Sequence, residues 1–187
     1  MSEPPVLTTP PVPPAPKSGM PVWVWIVVPV VMCCPILAAV LFPVFSQARL
    51  AAKRTQSLAH IKQIGLASAM YAAENDDRFP KAEAWEEVLR DSTDEDIFKD
   101  PQADANSGLG FAMNSAASLA KIEWVDDPQN TVLFFSSSKP GPSANGGAEM
   151  LRLSNNYTTI SLVDTSARIR KKDQLSELIW TIKRPAK

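Results

Sequence analysis

The chain has 187 residues, 45% of them hydrophobic, which allows one modest globular domain plus a further element and leaves no comfortable room for two full domains. With 19 basic and 20 acidic residues the formal net charge is -1, so the overall balance points to neither a nucleic-acid partner nor a strongly acidic substrate. The only two cysteines, Cys33 and Cys34, are adjacent and cannot staple distant parts of a domain together.

Residues 1–20 hold seven of the 17 prolines, with overlapping P-x-x-P spacings at Pro10, Pro11, Pro13, Pro14 and Pro16. Such a composition favours extended polyproline II and predicts a disordered tail, either a solvated spacer or a docking peptide for an aromatic-lined groove. Residues 21–45 carry no charge. As a helix they extend about 37 Å, enough to cross a bilayer core of about 30 Å with tilt, and they are read as a transmembrane helix. Trp23 and Trp25 stand at its start as interfacial anchors; Ile26, Leu37, Leu41, Phe42, Pro43 and Phe45 complete the apolar anchor. Pro29, Pro35 and Pro43 each remove a helical donor, so bends are expected. A cleaved secretory signal ending near Ser46-Gln47-Ala48 is the competing reading.

Residues 46–75 continue in helix-forming residues. Leu50, Leu58, Ile61, Ile64, Ser68 and Tyr71 recur at steps that keep one side largely apolar, so this extension is expected to pack on the head through Leu58, Ile61, Ile64, Gly65 and Tyr71. Gly65 costs about 1 kcal/mol against alanine in a helix, but it lets a sheet or a neighbouring helix come close. Beyond Asn75-Asp76-Asp77, residues 76–187 predict a small α+β head. It should hold a short amphipathic helix over 82–89, a buried strand over 131–138, a mobile loop over 140–147, and a hairpin of 157–164 and 167–172 around Asp164-Thr165-Ser166. A final helix capped by Asp173 would carry Leu175, Leu178, Ile179 and Trp180.

Residues 36–80 resemble the amino-terminal helix of bacterial pilin-like proteins related to the type II secretion pseudopilins. Residues 85–89, 126–133, 155–167 and 178–180 resemble the subgroup whose head ends in an H-x9-D-G element. The resemblance implies a long helix packed on a small antiparallel sheet and membership of a helical fibre or related envelope assembly. Three features depart from it. Pro21 and Ile26 fall where relatives carry the glycine and glutamate read by the prepilin peptidase. Ser154 and Asp164-Thr165-Ser166 stand in place of the spaced histidine and the Asp-Gly-His turn. Lys99-Asp100-Pro101 replaces a cysteine before proline. The expectation is therefore an unprocessed, single-pass protein of the cytoplasmic (inner) membrane, its tail cytoplasmic and its head extracytoplasmic. That orientation follows the resemblance, because Lys17 before the apolar run against Arg49, Lys53 and Arg54 after it would by itself place the head inside.

The role expected is structural, with the membrane, like copies or other pilin-like subunits as partners. The alternative is a tethered binding module that recruits a partner through its head or tail. No catalytic residue, cofactor, metal site, nucleic acid or small-molecule substrate is expected. The single histidine, His60, lies on the helix extension, away from any cleft evident in the sequence. Asp91, Asp94, Glu95, Asp96 and Asp100 offer oxygen ligands for Ca²⁺ but lack the glycine and alternation of a calcium loop, so a solvated acidic surface is favoured. Arg168, Arg170, Lys171 and Lys172 form a basic strand, read either as a contact for an anionic polymer or lipid headgroup or as ordinary edge-strand exposure.

Overall fold

The computed structural model describes residues 21–104 and 106–185, with the side chains of 22, 25, 28–30, 32–38 and 40 left aside. The expected tail over 1–20 and the anchor side chains Trp25 and Leu37 lie outside the described residues. The chain divides into two units between Phe45 and Ser46. One helix, α1 (Val22–Glu74), supplies the described part of the first unit and opens the second. Among the described residues, no helix is long and apolar enough to cross a membrane.

In the second unit α1 is rich in alanine and unbranched residues, the best helix formers. It ends where Asn75 donates its side-chain amide to the Tyr71 carbonyl at 2.8 Å and Asp76 and Asp77 take left-handed backbone angles. Phe79 then turns into the core, its N–H held by the Ala120 carbonyl. Helix α2 (Trp85–Arg90) buries Trp85 and Leu89, one turn apart, and pairs Glu86 with Arg90 on its outer side.

Five strands form one mixed sheet in the order β3-β1-β2-β4-β5: β1 (Phe111–Asn114), β2 (Val132–Ser136), β3 (Asn145–Gly146), β4 (Tyr157–Leu162) and β5 (Ala167–Lys171). The expected antiparallel sheet is thus corrected to a mixed one, because β3 runs parallel to β1. That short strand also replaces part of the loop expected over 140–147. The Ala144 carbonyl accepts from the Trp85 indole at 2.9 Å and from the Met113 N–H, which ties the loop to both helix and sheet.

The fold is α+β, with α1 packed on one face of the sheet. A register shift between Val132 and Phe134 lets Leu133 and Phe134 both join Ile61, Ile64, Trp85, Phe111 and Met113 on the helix side. The opposite face carries Ala112, Phe135, Ile160 and Leu162, covered by Met150, Leu178 and Trp180. The expected final helix is corrected here. Residues 172–177 make a 3-10 turn, and the chain then extends so that Ile179 pairs in parallel with Thr131. Extension gives the Ile179 N–H and C=O partners at Asn130 and Val132 while burying Leu178, whereas a helix would leave that sheet face open. Asn114 locks this arrangement from within the core, donating to the Val132 carbonyl at 2.8 Å and the Trp180 carbonyl at 3.2 Å.

The hairpin of β4 and β5 turns on Asp164, which accepts from the Ser166 N–H and hydroxyl at 2.9 and 2.6 Å. Thr165 sits at φ 65°, a left-handed angle strained for a β-branched residue and relaxed for the glycine of the resembling turn.

Candidate functional site

Three surfaces of α1 and one groove beside it carry the candidate functional residues. The first surface is the apolar run. Trp23, Ile26, Leu41, Phe42, Pro43 and Phe45 are all exposed, Phe42 at 79% and Phe45 at 68%. Large apolar side chains exposed in series form a patch of the kind that interaction surfaces present.

The second surface is the seam between α1 and the sheet. Ile61 and Ile64 are fully buried in the main core, Tyr71 packs against that core half-buried, and Leu58 is half-buried outside it. A Cβ placed on Gly65 would collide with the Ser161 hydroxyl on β4, so the glycine sets how close helix and strand approach. Leu50, expected on the packed side, is instead exposed. The packed side also includes Ser57, whose hydroxyl reaches Thr159 at 3.4 Å, and Ser68, whose buried oxygen has no hydrogen-bond partner. Sequence reasoning missed Ser57 because a serine carries no hydrophobic signal.

On its outward side α1 shows Ala59, Gln63, Leu66 and Met70, spaced by steps of four, three and four residues, the spacing of a helix-packing seam. Leu66 and Met70 are 45% and 62% exposed there. The expectations from sequence, built on the inward periodicity, do not include this stripe.

The groove corrects the reading of His60. An open depression of about 790 Å³ runs between α1, residues 95–111 and the Pro140-Gly141-Pro142 turn, and His60 lines it with Lys53, Gln56 and Phe98. The His60 Nδ1 lies 3.1 Å from the Lys99 carbonyl. That contact ties α1 to the acidic loop.

The five acidic residues do not converge. Asp100 turns inward, its side chain fully buried, to accept from Arg152 and from the Gln102 N–H. Asp96 bonds Lys99 at 3.0 Å, which holds that exposed amine above its ordinary range, and Glu95 lies 3.9 Å from Arg90. Among the described residues, no group of three or more His, Cys, Asp or Glu side chains is placed to hold a metal ion. Glu149 is a different case. The Gly147 N–H holds its carboxyl below the usual range.

No family model, no curated protein and no solved structure matches the chain.

Proposed function

We propose that this chain is a single-pass, membrane-anchored structural protein of the bacterial cell envelope, pilin- or pseudopilin-like in plan. Residues 21–45 form the anchor, residues 46–75 its membrane-proximal helix extension and residues 76–187 an extracytoplasmic head that contributes to an envelope or secretion-type assembly. One observation carries the reading: an uncharged run of exposed large apolar side chains occupies the same helix that Ile61 and Ile64 lock to the sheet. A bilayer, or like helices within it, is the surrounding that removes those side chains from water. Pro21 and Ile26 lack the glycine and glutamate chemistry of a processed subunit, which favours a permanent anchor with its proline-rich tail retained.

The stripe of Leu66 and Met70 is where like subunits would meet. Met70→Cys, treated with a bifunctional thiol crosslinker in membranes carrying the full chain with Cys33 and Cys34 replaced by alanine, is expected to give homodimer adducts. Adducts with a single foreign protein and none between copies would sink the assembly reading and favour the tethered binding module. The groove beside His60, with its Pro140-Gly141-Pro142 rim, is the feature that favours that second reading.

A further inference from the structure

A cationic cluster in the second unit is left without counter-charge by everything described above. Arg54, on α1, lies over the Tyr157 ring at 4.4 Å from its centroid, and Lys171, at the end of β5, lies 5.9 Å from the same centroid. The two cations are therefore at most about 10 Å apart. Tyr157 and Lys171 are paired in register, so the sheet holds this convergence in place. Lys53 directly precedes Arg54 on α1, Arg49 stands five residues before it, and Lys172 follows Lys171 on the strand side.

Among the described residues, none of Arg49, Lys53, Arg54, Lys171 and Lys172 makes an ion pair; the carboxylates of the head pair with Lys81, Arg90, Lys99, Lys121, Arg152 and Lys183 instead. The ring attracts both cations through its π face but removes neither charge. An anion completes the cluster. Its position along the chain says which: Arg49 follows Phe45, the last residue of the uncharged apolar run, by four positions, about one helical turn.

We propose that Arg54 and Lys171, gathered around Tyr157, together with Arg49 nearer the apolar run on α1, form a binding site for the phosphate of anionic phospholipid headgroups. The site rests on the anchor reading, since lipid phosphate lies just outside an apolar run that occupies the bilayer. Basic residues gathered beside a membrane surface favour anionic over neutral lipid, so even a small cluster can be selective. It also accounts for the basic residues after the apolar run, which the positive-inside rule would otherwise assign to the opposite side.

The test uses the full chain in nanodiscs made from equal parts phosphatidylcholine and phosphatidylglycerol, transferred to mild detergent, with the co-purifying lipid measured by native mass spectrometry. Phosphatidylglycerol is expected to be enriched over phosphatidylcholine, and Arg49→Gln/Arg54→Gln/Lys171→Gln to reduce that enrichment about fivefold or more. Lys183→Gln, a basic residue paired with Asp126, should leave it unchanged. Inorganic phosphate at the lipid's concentration should not displace the lipid. Equal enrichment in the triple variant, none in the parent, or displacement by phosphate would overturn the site. A chain that never enters the nanodisc would instead overturn the anchor reading, and the site with it. A triple variant that unfolds is replaced by Lys171→Gln alone, for which a smaller reduction is expected and an unchanged ratio is contradictory.

Discussion

Trp85→Ala is expected to lower the unfolding free energy by about 3–5 kcal/mol, measured by thermal or urea unfolding of the full chain. Trp85 is wholly buried and touches three separate segments of the head. Its ring lies 5.0 Å from Phe134 of β2 and 5.7 Å from Phe98 of the acidic loop. Its indole N–H holds the Ala144 carbonyl just before β3. Truncation removes that apolar surface, leaves a cavity and orphans a carbonyl, and these losses compound. Trp85→Phe keeps most of the packing but loses the hydrogen bond, so it should cost about 1–3 kcal/mol. If Trp85→Ala cost less than Trp85→Phe, the packing described around the indole would be wrong.

Asp100→Ala is expected to cost about 3 kcal/mol, out of proportion to a loop residue of an acidic stretch. The buried carboxylate holds Arg152, whose own side chain is 15% exposed, and truncation strands that guanidinium with its Nε already unpaired. The double change Asp100→Ala/Arg152→Met should recover part of the loss, because it removes the stranded charge and keeps an apolar stem of similar length. A double variant as unstable as the sum of the two single ones would show that the pair does not act as a unit. The same geometry withdraws Asp100 from any solvated acidic patch, and its burial gives the Lys99-Asp100-Pro101 segment a second anchor besides the Lys99 bridge to Gly110.

The parts of this fold legible in the sequence are those where a single segment carries its own period. Ile61, Ile64 and Tyr71 repeat at helical spacing, and the structure sets them together against the core. The hairpin of β4 and β5 alternates over enough residues to announce itself, and Asp164-Thr165-Ser166 turns it. Strand β1 has four residues and β3 has two, too few for any alternation to emerge, and both are held by distant partners. The carboxy-terminal stretch has helix-like spacing of Leu175, Leu178 and Ile179, but the uncovered sheet face and the backbone pairing of Ile179 beside Thr131 outweigh that local preference.

The surfaces tell a similar story. Gly65 was legible as a point of close approach, though only the structure names Ser161 as its neighbour. The groove at His60 and the pairing of Asp100 with Arg152 join segments 39 and 52 residues apart, and nothing local in the sequence signals either. Leu66 and Met70 were readable in principle, since they share the helical period, but an outward apolar stripe has meaning only once the inward one is assigned.

The central proposal is that residues 21–45 hold the chain in a bilayer, and alkaline carbonate extraction of membranes from cells producing the full chain tests it most directly. The protein is predicted to sediment with the membranes as an integral protein does, at both low and high salt. Release of the full-length chain into the carbonate wash would contradict the anchor and, with it, the envelope role built on it.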